Sequence, residues 1–320
     1  MIIEIHDIWD DAAEQHETFL RATVTDARQR ELAIVGPVSP VMRAVWDFVD
    51  RNLNILVDAG IRDFTDVVND FTTTFPPNSS LLEQAKDKFK RIFDYDLFRD
   101  NRVGWGAYSL CSLARYEVCP YCHIRATNTV PRDAANAGYR PQLDHFYDRA
   151  RYPFLALSLG NLVPCCGTCN GPGMKHTKDF VTQPHLNPLC DVGVLSFELG
   201  PANGAAWNPV LRALREPAER FEVRIKVPAG HTKAANSLQT FQLRSQYQTK
   251  LRDAYRVAKL GCSPAFSRSA HLATGLDVHD MTISEHLGFD PNGDEYKNQS
   301  EGKMRRDVYL DSRCWLPNNP

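Results

Sequence analysis

Long apolar runs are what this chain of 320 residues lacks first. Nowhere do about eighteen apolar residues follow one another without a charge, which excludes a membrane-spanning helix and leaves no membrane partner to expect. The opening Met1-Ile2-Ile3-Glu4-Ile5-His6-Asp7 has neither the basic start nor the apolar stretch of a secretory leader, so the expected location is cytoplasmic. Internal repeats and low-complexity tracts are also missing. Net charge is nearly absent, at -2. What the chain does contain is the material of a globular fold: 43% hydrophobic residues, with 16 Phe, 11 Tyr and 5 Trp to fill a core, so a disordered or fibrous chain is excluded. At this length two or three modules are expected.

The small total charge hides a segregation. Residues 1–100 hold 11 Lys and Arg against 19 Asp and Glu, residues 101–185 hold 9 against 5, and residues 210–260 hold 11 against 4. Phosphate contacts need local positive charge, so an acidic front followed by two basic segments suits a polyanion binder with a separate non-binding module. Basic helices that simply face solvent would give the same count.

Texture divides the chain in the same places. Residues 1–105 read as an acidic helical region, a scaffold or partner-docking surface: Val41, Val45, Trp46, Phe48, Val49, Leu53, Ile55 and Leu56 recur at helical spacing until Gly60, and Asn78 or Ser79 is a plausible cap for a helix through Leu81, Leu82, Ala85, Phe89 and Ile92. Asp10 to Ala33 is a third candidate helix. Across 106–185 helical periodicity fades and Pro, Gly, Asn and Cys become frequent, the style of a small metal-stapled module. In 186–320, an α+β region, Phe221 to Val227 alternates as a strand, and Asn236 to Leu260 reads as one long basic helix that could line nucleic acid or face solvent.

Six of the nine cysteines fall within 111–169, and four form two pairs, Cys119-Pro-Tyr-Cys122 and Cys166-Gly-Thr-Cys169. A two-residue gap turns both thiolates toward one tetrahedral ion, and two such knuckles complete a four-sulfur structural zinc site. Cys165 could replace Cys166 only by breaking that gap. Disulfides are disfavoured by an odd cysteine count in a cytoplasmic chain. Cys-Pro-Tyr-Cys also looks like the active-site turn of glutaredoxins, but that turn should open a helix and needs no second pair. Cys111, Cys190, Cys262 and Cys314 read as small buried hydrophobes.

Between the knuckles lies Leu143-Asp144-His145-Phe146, then Asn161-Leu-Val-Pro164, and Asn170 follows the last knuckle directly. Asp144 offers a hard oxygen to a divalent cation and His145 an imidazole able to take a proton near neutrality. Two asparagines add carbonyl oxygens, one to bind a metal and the other to orient the imidazole or brace a loop.

Taken in order, Cys119-Pro-Tyr-Cys122, Leu143-Asp-His-Phe146, Tyr152-Pro-Phe-Leu155, Asn161-Leu-Val-Pro-Cys-Cys166, Cys169-Asn170 and Lys175 resemble an HNH endonuclease of the ββα-metal, or His-Me finger, superfamily with an added four-cysteine zinc site. The resemblance covers roughly 111–185 and implies an α+β fold: a zinc-stapled ββα-metal nuclease module between the helical front and the mixed C-terminal region. It implies that His145 is the general base, that Asp144 and Asn170 hold a catalytic Mg²⁺ or Mn²⁺, and that Asn161 takes the middle asparagine position. Lys175 stands five residues after Asn170 where the family often has three, and Gly171-Pro172-Gly173 should delay or distort the metal-finger helix, which leaves His176 as an alternative ligand. Arg140, Arg149, Arg151, Lys175 and Lys178 would supply charge near a DNA phosphate. The layout is similar to HNH effectors of bacterial anti-phage systems, Septu-type or retron-associated, which implies a defence role with an ATPase or another defence protein as partner. The alternative from another class is a catalytically silent zinc module that binds nucleic acid or a protein. One weaker pattern, Asp290 to Glu301, spaces oxygen-bearing residues like a calcium loop but has Glu295 where the turn needs glycine, and is expected to be a surface turn.

Overall fold

The computed structural model describes residues 1–34, 36–58, 60, 63–101, 104–131, 135–202, 216–262 and 278–313. They form a mixed α+β protein with two small antiparallel sheets, in two compact units. One unit comprises Glu4–Glu117 and Thr127–Asp191; the other comprises Met1–Ile3, Val118–Ala126 and Val192–Pro320. No described helix is long and apolar enough to cross a membrane.

In the first unit six helices precede the first sheet: α1 Ala13–Leu32, α2 Pro40–Val57, α3 Thr65–Thr74, α4 Ser80–Ile92, α5 Tyr95–Asp100 and α6 Ala107–Ser112. The helices anticipated in the front region are present. Ser39 and Ser79 cap α2 and α4 by accepting from Met42 and Leu82 backbone N–H groups, and Pro40 begins α2 where its missing N–H costs nothing. Along α2, Met42, Val45, Phe48, Val49, Asn52 and Leu56 face inward. Trp46, part of the same apolar pattern, is only half-buried, beneath the Arg28 guanidinium at 4.5 Å. Asn52 is buried because its amide is satisfied by the Phe48 carbonyl and by Asp70 Oδ2, at 2.9 and 2.7 Å.

The core of this unit is aromatic. Phe48, Phe71, Phe75 and Phe89 meet at centroid distances of 5.3 to 6.1 Å, and Phe154 enters their midst, 4.6 Å from Phe71 and 5.0 Å from Phe48. Each fully buried ring contributes roughly 1.5–3 kcal/mol by leaving water. Phe154 belongs to the segment joining β1 Gln142–His145 to β2 Leu162–Cys165, so the helical front holds that segment directly. Three polar contacts do the same: Trp9 Nε1 donates to the Leu162 carbonyl at 2.8 Å, His16 Nε2 to Leu157 at 2.7 Å, and Ser158 Oγ to Leu56 at 2.8 Å.

β1 and β2 are four residues each and antiparallel, with Asp144 opposite Val163 and His145 opposite Leu162. α7 Gly167–Asn170 follows at once and stops after one turn. The continuous metal-finger helix of a ββα unit does not form: residues 171–182 run on in turns. Pro172 has no N–H to extend the ladder, and a Cβ at Gly171 would sit 2.8 Å from the Gly167 carbonyl oxygen, so the chain leaves the helix there.

In the second unit β3 Ser196–Pro201 pairs with β4 Phe221–Lys226, within the span read as a strand. The single long helix expected over 236–260 is instead three: α8 Thr232–Thr240, α9 Leu243–Gln248 and α10 Leu251–Gly261. Gln242 turns the chain with φ +48°, which lets Phe241 stack on Tyr121 at 4.4 Å while Leu243 is also fully buried. α11 Val278–Leu287 and α12 Gly302–Arg313 complete the unit, α12 packing on α10 and β3.

Candidate active-site cavity and metal centre

The Sγ atoms of Cys119, Cys122, Cys166 and Cys169 lie within 4.8 Å of one another and all four residues are buried. Local structure explains each knuckle. Cys119 and Cys122 sit in a tight turn closed by a Val118–Ala126 bridge, with the His123 N–H donating to the Cys119 carbonyl at 2.7 Å and His123 at φ +54°. The Tyr247 hydroxyl donates to the Cys122 carbonyl at 2.8 Å. Cys166 caps α7, its sulfur accepting from the Cys169 N–H at 3.4 Å. Four soft sulfur donors at this spacing fit a tetrahedral zinc ion with no position left open, as a structural site requires. The glutaredoxin-like alternative fails on context, since no helix follows Cys122. No disulfide joins any of the eight described cysteines. Cys165 is buried at the end of β2, opposite Gln142, and is not in the cluster. Cys111 and Cys262 are buried as expected, whereas Cys190 is exposed, in the turn Asn187–Asp191; Cys314 lies outside the described residues.

The hydrolytic candidates surround a different feature, a cavity of about 430 Å³ in the first unit. Asp144 and His145 from β1, Asn170 from α7, and Lys175 and His176 from the turns beyond all line it, as do Arg140 and Arg149. His145 is buried, its Nε2 donating to the Ala156 carbonyl at 2.9 Å, which fixes the tautomer whose lone pair is on Nδ1. Burial, foremost, pushes its pKa down to about 3, opposed by that carbonyl and reinforced by the nearby Arg149 and Lys175 charges. Asp144 is paired with the Lys175 ammonium at 2.6 Å. Asn170 lines the rim and donates to Gln142 Oε1 at 2.9 Å. The donor set among the lining residues, a carboxylate and an amide carbonyl, suits a hard divalent cation, and the Lys175 ammonium shows that the Asp144 position favours positive charge.

Asn161 is not at the cavity. It is fully buried behind it, accepting from the Tyr147 N–H at 2.6 Å and donating to the Tyr147 and Leu155 carbonyls at 3.1 and 3.0 Å, and so braces the β1–β2 segment from both ends. Arg151 and Lys178 also lie off the cavity; Arg151 pairs with Asp179 at 3.4 Å, and Lys178 is exposed. Along the basic helices, Lys250 pairs with Glu301, Arg252 with Glu219 and Arg256 with Asp253, at 2.5, 3.7 and 2.8 Å. Glu301, last position of the calcium-loop pattern, is thereby engaged, and the loop is turns and a short 3₁₀ segment, as expected.

Four cavity residues lie outside the sequence motifs: Tyr95, Arg99, Gln142 and Asp148. Tyr95 and Arg99 come from α5 in the acidic front. The Tyr95 ring meets the His145 imidazole edge-on at 4.4 Å, and its hydroxyl pKa is raised to about 12 by burial. Asp96 joins Arg99 to Arg149, at 2.8 and 3.1 Å, and Arg149 lies 4.9 Å over Tyr95. The spacing of Tyr95 and Arg99, one helical turn, is the only sequence signal that they share a face. Arg140 Nε is buried without a hydrogen-bond partner among the described residues, a donor of the kind an anion would satisfy. Compared with protein-family models, curated proteins and solved structures, the chain matches none of them.

Proposed function

We propose that this cavity is the active site of a divalent-metal-dependent endonuclease of the HNH type, hydrolysing phosphodiester bonds of DNA. The observation that carries this reading is the convergence of Asp144, His145, Asn170, Arg140 and Arg149 on one cavity while Asn161 braces the loop behind it. Binding alone needs none of the Asp144-His145 pairing; phosphodiester hydrolysis needs a proton acceptor beside a carboxylate. Mg²⁺ or Mn²⁺, held by Asp144 and Asn170, would supply Lewis-acid stabilisation of the phosphate and leaving oxygen.

The chain's own residues do the rest. His145, neutral and with Nε2 committed to the Ala156 carbonyl, accepts the proton of the attacking water at Nδ1. Burial keeps its basicity low; an anionic phosphate would favour the imidazolium and raise its pKa toward the working range. Tyr95 packs against the ring and limits its rotation, and Arg99, Arg140 and Arg149 offer guanidinium donors to phosphate oxygens. The zinc held by the four cysteines is structural. The acidic front and basic rear support a finer reading as an anti-phage effector, with an ATPase or another defence protein docking on the front.

Cleavage of supercoiled plasmid with Mg²⁺ or Mn²⁺ tests the reading. The expected outcome is nicking that falls by about 10² or more in His145→Ala at unchanged zinc content. Wild-type cleavage by a folded, zinc-replete His145→Ala would remove His145 from the mechanism, and no cleavage by any preparation favours the silent zinc module.

A further inference from the structure

The Lys175 side chain is 2% exposed and its partner Asp144 3%, and the pair is the most deeply buried ion pair among the described residues. Lys175 Nζ donates to Asp144 Oδ1 at 2.6 Å and to the His145 backbone carbonyl at 2.5 Å, and stands 5.1 Å from the Phe180 ring centre. Its backbone is held in place too: the Lys175 N–H donates to the Cys169 carbonyl at 3.1 Å, and the next residue, His176, takes φ +46°. A lysine is buried this far only when its charge is matched, and here the match is the carboxylate assigned to the catalytic cation.

We propose that Lys175 is the resident counter-ion of Asp144, and that a divalent cation reaches this carboxylate only by exchanging with the Lys175 ammonium. This rests on the nuclease reading, in which Asp144 is a metal ligand. Two cations on one buried carboxylate repel each other strongly, so arrival of one weakens the hold on the other. Lysine, a point charge on a flexible four-carbon stem, can swing away without moving the backbone, and the cavity it lines offers room for that swing. An anionic phosphate in the same cavity then receives the displaced ammonium. Metal and phosphodiester therefore bind cooperatively, and the protein without nucleic acid holds its catalytic carboxylate in a neutralised state. Lys175 is a positioning residue in this scheme: it sets when Asp144 becomes available.

Mn²⁺ binding measured on zinc-loaded protein, by loss of the electron paramagnetic resonance signal of aqueous Mn²⁺, tests the exchange without any turnover. Lys175→Met is expected to bind Mn²⁺ at least about tenfold more tightly than wild type, equivalent to about 1.4 kcal/mol, with Mn²⁺ raising its melting temperature more than that of wild type. Lys175→Arg, which restores the charge, should return toward wild-type affinity, and Asp144→Asn should abolish the site. Lys175→Gln keeps a donor to the His145 carbonyl and is titrated alongside by the same criterion, so the test survives if Lys175→Met does not fold. Unchanged or weaker Mn²⁺ affinity in the folded neutral variants, at a site that Asp144→Asn removes, overturns the exchange and leaves the nuclease reading intact. Absence of any Asp144-dependent Mn²⁺ site in wild type and neutral variants alike overturns both.

Discussion

The four cysteines and the Asp144 cavity both present electron pairs from buried side chains, yet one set closes on itself and the other opens onto a space of about 430 Å³. Sulfur donors at mutual distances within 4.8 Å leave no coordination position for a substrate. The cavity instead mixes carboxylates, imidazoles, amides and guanidinium groups, and balances its buried carboxylate with a lysine from the chain itself. On the proposed reading, the difference separates a centre that would supply folding energy from one organised for chemistry.

Removing zinc is the largest way to break that contrast. Chelation, or Cys122→Ser, should abolish cooperative unfolding of the zinc-bearing part, since structural zinc supplies about 10 kcal/mol or more in small zinc modules; zinc release and a thermal melt followed together check it. The cavity should respond in a smaller and reversible way. Asp144→Asn leaves the Lys175 ammonium buried opposite a neutral amide and is expected to cost about 3–5 kcal/mol in denaturant unfolding. The double change Asp144→Leu with Lys175→Met should recover most of that loss while retaining full zinc, because no charge is then left buried.

How much of this contrast could be read in advance depends on distance along the chain. The thiol pairs were legible because a two-residue gap is a local geometric statement, and Asp144 beside His145 was legible for the same reason. Lys175 showed only as a lysine five residues past Asn170; its burial comes from the Gly171-Pro172-Gly173 exit and the left-handed turn at His176, which aim it inward. Tyr95 and Arg99 fall in sequence within a scaffold or docking region, and only the packing of α5 brings them to the cavity. The break at Gln242 was hidden by a helical pattern that continues on both sides of it.

Acid offers a graded test that touches both centres. His16 and His123 are buried with pKa values lowered to about 4, and His145 to about 3, from an ordinary 6.5, in each case chiefly by loss of water. The unfolded chain therefore binds protons below pH 6.5 that the folded chain refuses. Stability should be full above pH 6.5 and decline as pH falls toward 4, by on the order of 1 kcal/mol per histidine at pH 5.5. Thermal melts between pH 8 and pH 5 at constant zinc check this, and a flat profile would mean that these imidazoles are not held neutral. The smallest effect belongs to the joint between the two centres in sequence: Gly171→Ala places a methyl 2.8 Å from the Gly167 carbonyl and should cost about 1 kcal/mol in melts, with zinc retained.

The contacts of Trp9, His16 and Leu56 with the β1–β2 hairpin have a consequence for heredity. The stretch that carries the candidate residues does not complete its own cavity; Tyr95 and Arg99, and the rings packed around Phe154 behind it, come from far upstream. Gene fusion or recombination that moved the motif stretch alone would transmit the reacting groups without their enclosure. A piece that migrates with its enclosure has to bring residues 4–117 along with 127–191, and one that keeps all four cysteines has to carry 118–126 as well.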